Sequence, residues 1–160
     1  ARDTATNRVA LSLIGKPSSR DRAGKVCDYF LSRLAMNEIL STDRAPAAIG
    51  PYSQGVRTGN ILFLSGQLGL DPASGTLPEG VKAQSEQAFR NVAALLEAAG
   101  MTFANVVKVT IFITDLDYFS TVNDAMIAAF DGLPYPARSC VVVADLPKHG
   151  LVEVEAVAAL

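Results

Sequence analysis

The sequence predicts an α+β fold, with one mixed β-sheet and two helices packed on one of its faces. Three observations predict it. Apolar and periodic segments follow one another in the order β-β-β-α-β-α-β-β, which suits a sheet carrying helices better than a bundle or a sandwich. Residues 81–99 and 117–130 carry apolar stripes at helical spacing. Residues 106–114, VVKVTIFIT, are nearly all β-branched or apolar, as expected of a central strand covered on both sides.

Residues 37–41 are expected to form a short strand, followed by a Pro- and Gly-rich loop over 45–51. Residues 52–57 and 61–65 read as a hairpin turning at Thr58, Gly59 and Asn60. Pro72, Gly75, Pro78 and Gly80 mark a long loop over 71–80. The first helix then presents Val81, Ser85, Ala88, Val92, Leu95, Leu96 and Ala99 on one face, and Gly100 follows as its stop. The second opens on Asp117 as a capping residue and presents Phe119, Val122, Met126 and Phe130. Two strands, 139–144 and 151–159, close the chain as an expected hairpin about a turn with Pro147 and Gly150. A period of two puts Glu153 and Glu155 on one face of the last strand and Val152, Val154 and Ala156 on the other.

Composition narrows the class. With 49% apolar and 19% charged residues, the 160-residue chain is expected to fold as one domain rather than remain disordered. No apolar run approaches the ~20 residues of a membrane-crossing helix. Cys27 and Cys140 fit no metal spacing and no disulfide framework, so a reducing compartment is expected. The net charge of −2 conceals an asymmetry: residues 1–35 hold seven Lys/Arg against three Asp, leaving seven against thirteen in residues 36–160. An acidic body is a poor partner for phosphate backbones, and no nucleic-acid partner is expected.

Residues 1–35 form an N-terminal extension that is Arg-rich, contains Ser and Thr and has no Glu. That composition points to an organelle transit peptide, for mitochondrion or plastid, with a cytoplasmic location as the alternative. An artefact of an upstream start and an added structural element are competing readings. A helix over 26–39 with Tyr29, Phe30 and Leu34 on one face would suit the last of these.

Arg138 stands just before the penultimate strand. A guanidinium there can grip a carboxylate through two parallel hydrogen bonds, or serve a structural ion pair with Asp145 or a glutamate. A carboxylate on a partly apolar strand is expected to have a raised pKa, which suits proton transfer. Glu153 and Glu155 both qualify, and a subunit-interface ion pair is the alternative for either. If the last two strands form a hairpin, Arg138 is level with Val157 and about 13 Å from Glu153. A site completed between subunits would remove that difficulty. His149, the only histidine, lies in a turn and is expected to be exposed. No phosphate loop, dinucleotide fingerprint or metal-ligand cluster appears in the sequence, so no cofactor is expected.

The PARSC motif at 136–140, the apolar strand after it and VEVEA at 152–156 resemble the C-terminal signature of the RidA (reactive intermediate deaminase, formerly YjgF) family. The resemblance continues through APAAIGPYSQ at 45–54, FLSGQ at 63–67 and TVN at 121–123, and covers residues 36–160 as one family domain. It implies a chorismate-mutase-like α+β fold and a homotrimer with sites between subunits. The implied reaction is hydrolysis of reactive enamines and imines, such as 2-aminoacrylate and 2-iminopropionate, to 2-keto acids and ammonia. This protects enzymes that use pyridoxal phosphate and needs no metal or cofactor.

By the same resemblance, Arg138 binds the substrate carboxylate, Glu153 rather than Glu155 positions or activates water, and Tyr52 lines the pocket. Ser65, Gly66, Asn123 and Cys140 match further pocket positions, Cys140 as a small packing residue. A non-catalytic ligand-binding or chaperone-like trimer of the same fold is the alternative. RNA cleavage has been ascribed to family members, but the acidic body weighs against it. The connection 131–135 is shorter than in the bacterial form, and Val142 stands where some members carry Glu. Both departures bear on substrate preference.

Overall fold

The computed structural model describes residues 37–160, which lie in one unit spanning Met36–Leu160. In chain order the elements are β1 (Glu38–Leu40), β2 (Gly55–Thr58), β3 (Ile61–Leu68), α1 (Gly80–Ala98), β4 (Val106–Ile113), α2 (Phe119–Phe130), β5 (Ala137–Val142) and β6 (Val152–Ala159). The expected order of strands and helices is observed. The reading of residues 1–35 falls outside the described residues. So does most of the helix expected over 26–39, whose last two positions belong to β1.

The six strands form a single sheet in the order β1-β2-β3-β6-β4-β5. Every neighbouring pair is antiparallel except β4 with β5, which run parallel. The final hairpin expected from the sequence is therefore not formed. β4 lies between β5 and β6, and residues 143–151 connect strands that do not pair. Short range suggested a hairpin, but β4, the most apolar strand, pairs with both. Arg138 is also inside β5 rather than before it.

One face of the sheet packs on both helices. Leu62 and Leu64 of β3, Val109, Ile111 and Ile113 of β4, and Val152 and Val154 of β6 point into that layer. They meet Ala88, Val92, Leu95 and Leu96 of α1 and Val122, Met126 and Phe130 of α2. β4 is buried at alternate positions only, so the expected cover on both sides is absent within this chain: Lys108, Thr110 and Phe112 are half-buried on the other face. There a smaller cluster of Leu68, Leu70 and Leu146, joined by Phe112, closes one end beneath the loops.

Three polar residues of α1 explain why its buried face is broader than its apolar stripe. Ser85 donates to the Val81 carbonyl, which satisfies its hydroxyl inside the helix. Asn91 donates to the carbonyls of Leu68 and Leu70, and Gln84 accepts from the Leu151 N–H while donating to the Pro78 carbonyl. Together they tie the end of β3 and the start of β6 to the helix. The helix stops at Ala98, Ala99 is its C-cap, and Gly100 takes the left-handed conformation at φ 70°. The second helix begins at Phe119 rather than at Asp117, because a short 3-10 turn, Leu116–Tyr118, precedes it; Asp115 caps that turn by accepting from the Asp117 N–H, and Tyr118 is the N-cap of the helix without a side-chain bond.

Candidate functional site

The candidate residues fall into two groups. In the first, Arg138 pairs with Val109 in the parallel ladder, so its side chain leaves the sheet on the helix face. It lies over the exposed side of α2, where Asn123 Oδ1 accepts from its Nη1 and Met126 Sδ lies 3.9 Å away. The Phe119 ring lies beneath the guanidinium at 5.3 Å from its centroid. All these partners are neutral. Among the described residues no carboxylate pairs with Arg138, and the structural ion pair considered from the sequence is not seen. Asn123, Met126, Ile127, Tyr135, Pro136 and Arg138 line an open cavity of ≈ 380 Å³ here. Cys140, on the same face as Arg138, is a free, half-buried thiol whose pKa burial pushes up, with Arg138 opposing.

The second group surrounds an irregularity in β3. Leu64 pairs with Ala156 and Gln67 with Val154, so Ser65 and Gly66 together oppose the single residue Glu155. This is a β-bulge. The Glu153 carboxylate occupies the space that a Cβ on Gly66 would take, so any larger residue there would displace it. Glu153 is half-buried, and burial, followed by repulsion from Glu155, raises its pKa as expected. Ser65 donates to the Ser53 carbonyl at 2.7 Å.

Tyr52 precedes β2 rather than belonging to it: the chain bends at Gly50 and Pro51, and the Tyr52 N–H bonds the Gly50 carbonyl. Its ring is 47% exposed, and its hydroxyl accepts from the Ile49 N–H at 3.2 Å. Gln54 fixes this loop from below. Its amide donates to the carbonyls of Ala45 and Pro46, and its oxygen accepts from the Thr42 N–H.

Thus Gly66 lies against Glu153 and lines a small cavity with Tyr52, with Ser65 next to it in the bulge, while Arg138 neighbours Asn123 and Cys140; the two groups are not joined within one chain. Glu153 pairs with Phe112, on the face opposite Val109 and Arg138. Phe119 entered the sequence reading only as one member of an apolar stripe. Its spacing of four from Asn123, which puts both on one helical face, is the signal that connects it to Arg138.

Comparison with known proteins places the chain. A family model described as Endoribonuclease L-PSP matches residues 42–160. The 2-iminobutanoate/2-iminopropanoate deaminase of Bos taurus is 51% identical over 77% of this chain and 90% of its own. The crystal structure of RidA from the Antarctic bacterium Psychrobacter superimposes with a TM-score of 0.75 at 48% identity, covering 77% of this chain and 99% of that one.

The chain belongs to the RidA family. Escherichia coli TdcF with bound serine is a further RidA-like structure, at TM-score 0.75 and 45% identity, covering 77% of this chain and 98% of TdcF. The RidA fold accounts for the mixed six-stranded sheet with two helices. Among the described residues, no cluster of His, Cys, Asp and Glu could hold a metal ion, and no helix is long and apolar enough to cross a membrane.

Proposed function

We propose that this protein hydrolyses reactive enamines and imines of 2-amino acids, such as 2-aminoacrylate and 2-iminopropionate, to 2-keto acids and ammonia. The observation that carries the reading is Arg138, a guanidinium held by neutral partners beside an open cavity and thus available to a substrate carboxylate. The deaminase names of its relatives support it.

The chemistry follows from the two groups. Arg138 grips the carboxylate in a bidentate pair and presents the adjacent imine carbon. An enamine first takes a proton at its β-carbon and gives one up from nitrogen to become the imine. Water then attacks the imine carbon, forming a C–O bond while the C=N π-electrons move to nitrogen. Glu153, whose raised pKa suits both directions of transfer, takes the proton of the attacking water and returns it to nitrogen. A second transfer through Glu153 carries the hydroxyl proton of this carbinolamine to nitrogen. The O–H electrons form the C=O bond as the C–N bond breaks, and ammonia leaves with that bonding pair. Tyr52, Ser65 and Gly66 line the Glu153 side, and Asn123 and Cys140 the Arg138 side.

This assignment calls for a homotrimer with sites between subunits, in which Arg138 of one chain faces Glu153 of the next. The sheet face bearing Glu153 also exposes Ile39, Phe63 and Val141, apolar surface that a neighbouring subunit would cover. Residues 36–160 are the working domain in this reading. The Arg-rich composition of residues 1–35 supports a mitochondrial or plastid destination, which imaging of a fluorescent fusion with and without them would test.

The direct test is keto-acid and ammonia release from enzymatically generated 2-iminopropionate by the unmodified chain and by Arg138→Ala. The variant is expected to be slower by about 30- to 1,000-fold. Equal acceleration by both would remove Arg138 from the site. Absence of acceleration by folded protein across several imino acids would favour the non-catalytic binding trimer.

A further inference from the structure

Glu155 stands two residues beyond Glu153 on the same face of β6, half-buried like it, and takes no part in the proton transfers at the imine. Thr110 of β4 lies opposite Glu155, and Ser139 of β5 lies opposite Thr110, so the three form a row across the uncovered face. Lys108 is the neighbouring residue of β4 on that face, flanked by Val157 and Ala137. Glu155 on one side and Ser139 on the other are therefore both its diagonal neighbours, about 7–8 Å away and within reach of a long side chain.

Lys108 turns to the hydroxyl. Its Nζ donates to Ser139 Oγ at 2.7 Å, and among the described residues no cation pairs with Glu155. A lysine that takes a serine in place of a carboxylate leaves that carboxylate with its full charge. The charge bears on Glu153, whose other neighbours are mostly neutral. β4 faces Glu153 with Phe112, β3 faces it with Leu68 and Gly66, and the loop before β2 brings Tyr52 to the Gly66 side. A second carboxylate two positions along a half-buried strand face is poorly screened and opposes ionisation of the first. Glu153 follows that direction, with burial acting first and Glu155 second. Arg138 of the next chain, which the proposed site also brings to Glu153, favours the ionised form and is unchanged in the variants that test this.

We propose that Ser139 is a positioning residue that holds Lys108 away from Glu155, and that the unneutralised Glu155 sets the pH range over which Glu153 transfers protons. The proposal rests on the deaminase reading of the Glu153 site. Glu153 must be ionised to take the first proton from water, so turnover rises with pH through its titration. Loss of negative charge at Glu155, by substitution or by pairing with Lys108, should move that rise to lower pH.

The test is the pH profile of kcat/KM for 2-iminopropionate, generated in situ from alanine by an amino-acid oxidase and corrected for the buffer rate. Carbon NMR titration of the Glu153 carboxyl accompanies it. In Glu155→Gln both midpoints are expected about one pH unit lower than in the unmodified chain. Ser139→Ala frees Lys108 to swing to Glu155 and is expected to move them in the same direction, whereas Ser139→Thr keeps the hydroxyl and should leave them in place. Adding Lys108→Met to Ser139→Ala should restore the original midpoints, which a structural role of Ser139 would not do. Ser139 is exposed, so its variants carry the test should Glu155→Gln fail to fold. Unmoved midpoints in folded Glu155→Gln would overturn the proposal, as would a Ser139→Ala shift that survives Lys108→Met. No acceleration at any pH by the folded, unmodified chain would remove the reaction, and the proposal with it. Normal turnover with an unmoved titration would remove the proposal alone.

Discussion

Arg138 and Glu153 project from opposite faces of one sheet. Arg138 shares its face with Val109 and the helices, while Glu153 shares its own with Phe112 and the uncovered surface. Side-chain alternation makes this separation independent of small shifts in strand position, because no sliding brings the two to one face without slipping a register. Two inactive variants should therefore complement each other. Arg138→Ala and Glu153→Gln chains, co-expressed or refolded together, are expected to regain activity in about one quarter of their sites under random assortment. Each variant alone should stay inactive, and a mixture no better than its components would locate both groups in one chain.

Gly66 and Glu153 form a matched pair, since the missing Cβ is what admits the carboxylate. Gly66→Ala is expected to destabilise the fold by about 1–3 kcal/mol through overpacking and to displace Glu153. Glu153→Ala in the same chain should recover most of the stability and none of the activity. Denaturant unfolding of both single variants and the double variant measures the coupling.

The raised pKa of Glu153 fixes the sign of a pH effect. Below the ordinary value of 4.5 the group is protonated in folded and unfolded chains alike and contributes no difference. As pH rises through the higher folded value, the folded state must ionise a half-buried group next to Glu155, and stability falls relative to a neutral side chain. Glu153→Gln should thus raise Tm at about pH 7 and leave it almost unchanged below about pH 4, while abolishing turnover. Thermal melts across pH check this, and a Tm gain that grows on acidification would contradict it.

Phe119 supports the guanidinium through its ring face. At a partly exposed site such a contact is worth about 0.5–1 kcal/mol, so Phe119→Leu should weaken carboxylate capture by about two- to fivefold. The effect is expected in KM rather than kcat, because the ring acts on binding and not on proton transfer. A loss confined to kcat would point to a different role.

Much of this architecture was legible in local sequence. The stripe from Val81 to Ala99 located α1, and the β-branched run of β4 marked an interior strand. What escaped depends on partners distant in the chain. The turn between β5 and β6 looked like a hairpin because turn chemistry is local, while the choice of β4 as common neighbour is not. Gln84 and Asn91 look like surface residues until the carbonyls and N–H that they satisfy are brought to them. The family motifs identified Arg138 and Glu153 as important, but only the register shows that they point apart.

The extra residue at Ser65 and Gly66 also lets one strand serve two cores. Before it, Leu62 and Leu64 face the helices; after it, Leu68 pairs with Glu153 and joins the small cluster with Leu70 and Leu146. The shared partner, Glu155, thus matters here as much as side-chain identity. If Ser65 and Gly66 each took a regular partner of their own, Leu68 would return to the helix layer and everything downstream to the end of the strand would invert.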